Sequence, residues 1–255
     1  MLLKDLIEKN KITEDLLKNV NNKILHNKVS GISSNSKEIK KGYIFVAIKG
    51  KNFDGAEYIA EAEKLGAFLI IAEEACNKKV FSVKKGTARQ IYTLLLSSFY
   101  IKQPKQIIGV TGTNGKTSTV EFCRQLWALA GWKAASMGTL GTKTETPLNK
   151  SVYKNKEENL TTFEPSDLYE KLNFLVEEKI SHLALEASSH GIDQYRLDGV
   201  NFSGAVFTNL SHDHLDYHGN TANYFSTKKR LFTKVLKNNS AISINIDDIY
   251  GKKLY

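Results

Sequence analysis

Two short stretches carry residue types at spacings that could do chemistry. In GVTGTNGKTST, residues 109–119, glycines at 112 and 115 precede Lys116 and Thr117. An apolar run leads in and an amphipathic segment leads out, so the stretch reads as strand, glycine-rich turn, helix. Such a turn lets backbone N–H groups approach phosphate oxygens, and the helix N-terminus adds positive potential. Lys116 reaches toward β- and γ-phosphates, and the Thr117 hydroxyl suits Mg²⁺. The expected ATP-binding set is Gly112, Thr113, Asn114, Gly115, Lys116, Thr117 and Ser118. The strict phosphate-loop pattern is not met, because its first glycine would fall on Val110.

The second stretch, TNLSHDHLDYHG at 208–219, packs three histidines and two aspartates into 212–218. It follows a strand-like GAVF, where a buried strand opens into a loop. A transition-metal cage, a magnesium site and an ordinary polar loop are all open readings. HDHLDYH approaches the H-x-H-x-D-H of zinc hydrolases, but Tyr217 stands where the last histidine belongs and His218 comes one position late. No Cys- or His-rich loop supplies further zinc ligands.

Elements must position these groups. The chain has 255 residues, 41% hydrophobic and 25% charged, a composition ordinary for a soluble globular protein. No apolar run is long enough to span a bilayer and no signal peptide is apparent, so a cytoplasmic protein without membrane attachment is expected. Cys76 and Cys123 fall in unrelated segments, which fits a reduced protein without disulfides. The net charge of +9 is spread lysine. It forms no basic stripe interleaved with aromatics, so nucleic-acid binding is not expected.

Residues 1–103 read as a small α/β unit. KGYIFVAIKG (41–50), FLIIAE and VFSV read as strands, and 54–67 as a helix ending at Gly66. A helix is expected over 88–100, with Ile91, Leu94, Leu95 and Ser98 on one face. Pro104 marks a boundary. Over 104–255 buried strands alternate with amphipathic helices: QIIGVTG, KAASMGTL, SHLALEAS, GAVFTNL and SAISINID are the strands. This is the pattern of a P-loop-type parallel sheet covered on both faces. The helix after the phosphate loop should bury Val120, Cys123, Leu126, Trp127 and Ala130 and end at Gly131. A further helix should start at Pro165 and bury Leu168, Leu172, Leu175 and Val176. On a wheel of TANYFSTKKRLFTKVL (221–236), Tyr224, Phe225, Leu231, Phe232, Val235 and Leu236 form one apolar arc. Lys228 sits in its middle, and Arg230 and Lys234 point away. A snorkelling lysine and a buried functional amine both fit that position.

TGTNGKTST, LEASSHGIDQYRL (185–197), TNLSHDHLDYHG, the Lys-x-x-Leu-Phe at 228–232 and the LTT at 160–162 together resemble the Mur ligases. Within that family they are most similar to the branch that adds the third amino acid to UDP-N-acetylmuramoyl-L-alanyl-D-glutamate. SNSKEIKKGYIFVAIKGKNFDGAEYI (34–59) resembles its uridine-nucleotide-binding domain. The resemblance implies an ATP- and Mg²⁺-dependent amide ligase working through an acyl phosphate. It implies catalytic roles for Lys116, Glu186, His214 and Lys228. Thr117, Glu186, His214 and a carbamylated Lys228 would be Mg²⁺ ligands, with Asp213 and Asp216 orienting His214 and His212 and His218 structural or substrate-lining. Thr161, Thr162, Ser188, Gln194 and Arg196 would hold the muramoyl-peptide. Ser34, Ser36, Lys51, Asn52 and Phe53 would hold the uridine diphosphate.

The implied partners are UDP-N-acetylmuramoyl-dipeptide and an amino acid, diaminopimelate or lysine, bound by a monomer. Phe163 departs from the proline common in relatives, and Asn35-Ser36-Lys37 from Asp-Ser-Arg. The sheet ends at SINIDD and no C-terminal domain follows, so an incomplete ligase is expected. The alternatives are a non-catalytic substrate- or nucleotide-binding fragment and a folate-type polyglutamate ligase.

Overall fold

The computed structural model describes residues 1–9, 22–50, 53–74, 80–145 and 160–255. They fall into two compact units, Met1–Ile101 and Lys102–Tyr255. Lys51, Asn52 and Cys76 lie outside the described residues.

The first unit is a parallel sheet of β1 (Gly31–Ser33), β2 (Tyr43–Val46), β3 (Leu69–Ala72) and β4 (Val80–Ser82), in that order. Its helices include α1 (Leu3–Ile7), α2 (Asn22–Leu25), α3 (Ile59–Lys64) and α4 (Ala88–Phe99). Phe45, Ile59 and Ile70 form part of its core. The face expected for α4 is the buried one: Ile91, Leu94, Leu95 and Ser98 are all buried. β1 is a strand the sequence reading lacked, since GIS holds a single large apolar residue.

The second unit holds β5 (Gln106–Thr111), β6 (Ala134–Gly138), β7 (Gly141–Thr144), β8 (His182–Glu186), β9 (Gly204–Phe207) and β10 (Ala241–Ile244). Their order is β10-β9-β5-β8-β6-β7, parallel throughout except for the antiparallel β7. The helices are α5 (Lys116–Leu129), α6 (Pro165–Glu177), α7 (Ser189–Asp193), α8 (Leu215–His218), α9 (Thr221–Arg230) and α10 (Ile249–Leu254). The mixed α/β class with parallel sheets is the one the alternating pattern predicts. β5 lies between β8 and β9, so the loops leaving those three strands are neighbours. Ligand sites in open α/β sheets form at such a place.

Two sequence expectations need correcting. α5 meets the sheet through Val120, Cys123 and Trp127, packed with Val110 and Ala184. Leu126 is 64% exposed and Ala130 is also exposed. The contact stripe runs along i, i+3 and i+7, and Leu126 lies well off that line. Gly131 does end the helix region, at φ +85°. The segment at 221–236 is not one α-helix: α9 stops at Arg230 and a π-helical turn, Leu231–Val235, follows. Within it Tyr224, Lys228 and Leu231 are buried. Arg230, expected to point away, is instead turned into the unit, with its side chain 20% exposed.

Leu185, the residue before Glu186 on β8, has no exposed surface. Leu185→Ala should therefore destabilise the second unit by about 2–5 kcal/mol, whereas Leu126→Ala should stay within about 0.5 kcal/mol of wild type. Urea denaturation of both variants checks this; comparable losses would mean Leu126 is covered.

Candidate active site

The turn after β5 is held open by its neighbours. Gly112 has φ +152°, and a Cβ there would lie 1.9 Å from Thr208 Oγ1, so only glycine fits. Gly115 has φ +84° and precedes α5. Thr208 and Asn209, at the end of β9, clamp the turn. Thr113 N–H donates to the Asn209 carbonyl at 2.9 Å and Asn114 N–H to Asn209 Oδ1 at 2.9 Å. Thr208 Oγ1 donates to the Asn114 carbonyl at 2.6 Å. Thr117 is half-buried and Ser118 exposed on the first turn of α5.

Two lysines converge on this turn. Lys116 Nζ donates to the carbonyls of Gly112 at 3.1 Å and Thr113 at 2.8 Å. Lys228 Nζ donates to the same Gly112 oxygen at 2.7 Å and lies 4.5 Å from the Tyr224 ring centroid. Lys228 is 1% exposed. Burial, reinforced by the Lys116 charge and opposed by Asp213, pulls its amine down to about 7. Burial also lowers the Lys116 ammonium, with Glu186 and Asp213 acting against it.

Glu186 ends β8 and is 1% exposed. Its Oε1 accepts from Thr139 N–H at 2.9 Å and its Oε2 from the Thr139 hydroxyl at 3.3 Å. A Cβ on Gly138 would collide with this carboxylate at 2.2 Å. The Thr139 hydroxyl also reaches Thr161 Oγ1 at 3.2 Å. Next to it, Thr162 Oγ1 donates to the Glu186 carbonyl at 2.9 Å and accepts from Ser188 N–H at 3.0 Å. Ser188 caps α7, accepting from Gly191 N–H at 3.1 Å. Arg196, buried, donates to the Thr162 carbonyl at 2.7 Å, to Gln194 Oε1 at 2.7 Å, and pairs with Glu164 Oε1 at 2.7 Å. Thr162, Ser188, Gln194 and Arg196 are thus linked to one another and, through Thr162, to the Glu186 carbonyl, while Thr161 meets the Glu186 carboxylate through Thr139.

His214 has φ +52°. Asp213 Oδ1 accepts its N–H at 2.9 Å, and Oδ2 lies 3.5 Å from its Nε2. His190 meets His214 edge-on, with ring centroids 5.0 Å apart, and also packs on Tyr217 and His218. Burial first, then repulsion from His214 and His218, holds His190 below the usual histidine range. In the first unit, Ser36 is buried at the start of a 3-10 turn, Ser34 is half-buried and Phe53 is 62% exposed.

Several groups of this site escaped sequence reasoning. Thr139, Thr208 and Asn209 meet the loop or the carboxylate only because β5, β6, β8 and β9 end side by side. Tyr224 was assigned only to an apolar arc, and His190 to no role. Gly138 carried a usable signal, a glycine at the end of an apolar strand.

The donor set suits a hard cation. The Glu186 carboxylate and Thr117 hydroxyl are oxygen donors, and Lys228 would become one if carbamylated. Among the described residues no group of three or more His, Cys, Asp or Glu stands ready to hold a metal. Among the described residues no helix is long and apolar enough to cross a membrane.

A lysine whose side-chain carbon signal titrates near pH 7 is expected in ¹³C-labelled protein, protonated below that pH and neutral above it. It should disappear in Lys228→Met. Titration near the ordinary lysine value of about 10.4 would show the amine to be hydrated.

The chain is similar to known proteins. Residues 110–255 match the Mur ligase middle domain, and residues 28–96 match the Mur ligase family catalytic domain. The UDP-N-acetylmuramoyl-L-alanyl-D-glutamate–2,6-diaminopimelate ligase of Brucella melitensis is 40% identical over 226 residues, 88% of this chain and 45% of that protein. The enzyme of the same name from Rhizobium meliloti is 41% identical over 86% of this chain and 44% of its own length. The chain spans about half the length of these curated relatives. A solved structure of a ligase of that name superposes with a TM-score of 0.77 at 26% identity, covering 100% of this chain and 49% of the other. MurF ligase from Thermotoga maritima in complex with ADP superposes at 0.51, 27% identical, over 85% and 46% of the two chains.

Proposed function

The chain belongs to the Mur ligase family, and from that premise we propose that it serves an ATP- and Mg²⁺-dependent amide ligation. The reaction adds the third amino acid to UDP-N-acetylmuramoyl-L-alanyl-D-glutamate, in peptidoglycan synthesis. The names of its relatives support 2,6-diaminopimelate as the added residue. The observation that carries the proposal is the meeting of Lys116 and Lys228 on the Gly112 carbonyl. It lies in the sheet-end cluster of Glu186 and the Thr162–Ser188–Arg196 network.

The chemistry needs the substrate's terminal carboxylate to take a phosphoryl group from ATP, giving an acyl phosphate and ADP. The amine of the incoming residue then attacks the acyl carbon, and phosphate leaves. The backbone N–H groups at Gly115 and in the first turn of α5 bind the phosphates, while those of Thr113 and Asn114 stay on Asn209 and hold the turn. Lys116 neutralises charge that develops on the transferred group. Arg196 orients the substrate: its Nη2 already pairs with one carboxylate oxygen, Glu164 Oε1, at 2.7 Å. Thr161, Thr162, Ser188 and Gln194 complete the muramoyl-peptide site, and Ser34, Ser36, Lys51, Asn52 and Phe53 take the uridine diphosphate. Thr117, Glu186, His214 and carbamylated Lys228 would hold Mg²⁺, which when bound screens the phosphate charges. Lys228 is suited to carbamylation because its buried amine loses its proton near pH 7.

Calorimetry should show saturable binding of UDP-N-acetylmuramoyl-L-alanyl-D-glutamate to this chain, weakened roughly tenfold or more by Arg196→Ala, as loss of charge-assisted hydrogen bonds requires. Ser188→Ala should weaken it less, because part of its role is to cap α7. A folded chain that binds neither this ligand nor Mg²⁺-ADP would sink the ligase reading. With ¹³C-bicarbonate, a carbamate carbon signal is expected at pH 8, fading at pH 6 where the amine is protonated. Its persistence in Lys228→Arg would assign the carbamate elsewhere.

A further inference from the structure

Arg230 makes three kinds of contact, all with one segment. Its guanidinium forks onto Asp198, Nη1 to Oδ1 at 2.9 Å and Nη2 to Oδ2 at 2.6 Å. Nη1 also donates to the Ile192 carbonyl at 3.1 Å. The guanidinium carbon lies 4.4 Å from the Tyr195 ring centroid. The segment 192–198 contains Gln194 and Arg196.

Tyr195 has φ +58°, a left-handed conformation that a bulky side chain rarely adopts and that surrounding contacts must enforce. That conformation folds the backbone tightly enough for the residues on either side to meet. Gln194 Oε1 accepts from Arg196 Nε at 3.2 Å and from Nη2 at 2.7 Å. Asp198 is fixed from a second direction, because its carbonyl accepts the Tyr169 hydroxyl of α6. On α9, Lys228 stands two residues before Arg230 and donates to Gly112 of the phosphate loop. One helix therefore reaches the phosphate loop with one side chain and the 192–198 turn with another.

We propose that Arg230 is a positioning residue for substrate binding. Its grip on Asp198 and its stacking on Tyr195 hold the turn in the left-handed form that pairs Gln194 with Arg196 and aims them at the peptide end of the substrate. The inference rests on the ligase reading above and adds to it a residue that touches neither substrate nor phosphate.

The test measures UDP-N-acetylmuramoyl-L-alanyl-D-glutamate and Mg²⁺-ADP binding separately, on the whole chain. Arg230→Met and Asp198→Asn should each weaken the muramoyl ligand roughly tenfold and leave nucleotide affinity within about twofold. Because the Asp198 contact is among those that Arg230→Met already removes, the double variant should bind no worse than Arg230→Met alone. Tyr195→Asn, which tolerates the left-handed form, should restore much of the lost affinity in the Arg230→Met background. A purely structural arginine would not be rescued in this way. Equal loss of both ligands, or muramoyl affinity unchanged by Arg230→Met, overturns the proposal while the ligase reading stands. A wild-type chain that binds neither ligand overturns both.

Discussion

The carbonyl oxygen of Gly112 accepts from two ammonium groups, Lys116 at 3.1 Å and Lys228 at 2.7 Å. Burial first, and then repulsion from the like charge of Lys116, makes Lys228 lose affinity for its proton. The arrangement is tolerable because Glu186 and Asp213 bear on Lys116 with the opposite sign. It is also suited to anions, since a phosphate entering between such groups relieves repulsion as well as gaining attraction. The backbone geometry that offers this oxygen depends on a residue without a Cβ at 112, pressed against Thr208. The turn, its clamp from β9 and the lysine of α9 thus constrain one another.

What surrounds that oxygen comes from strand ends. β5 supplies the turn, β8 supplies Glu186, β9 supplies Thr208 and Asn209, and the residue after β6 supplies Thr139. Their side-by-side ends are a product of strand order, in which β5 separates β8 from β9. Each polar group is then satisfied by a neighbour from a different strand, which is how an isolated carboxylate such as Glu186 survives at 1% exposure.

The parts legible from sequence are those whose signals are local. The glycine-rich turn, the Pro165 start of α6, the buried face of α4 and the inward position of Lys228 all follow from spacing and turn chemistry. β1 and β7 are not legible because GIS and GTKT hold at most one large apolar residue, unlike the equally short VFS of β4. Leu126 was misplaced because periodicity gives the width of an apolar face better than its centre. Arg230 reads as outward because the wheel sets it away from the apolar arc and cannot see that Asp198 waits in another segment. The partners of Glu186 depend on strand order, which spacing does not encode. The assignment of metal and substrate roles drew on the family resemblance, with geometry contributing the network that links the residues.

The distances along the chain across which these contacts form have a kinetic meaning. Lys228 and Gly112 are separated by 116 residues, Asn114 and Asn209 by 95, and Glu186 and Thr139 by 47. Contacts of such separation close large loops before any energy is returned, so parallel sheets of this kind fold slowly. No early intermediate with only neighbouring elements joined would contain the nucleotide site. Competence to bind nucleotide is therefore acquired late in folding, and a bound nucleotide stabilises only chains that have finished.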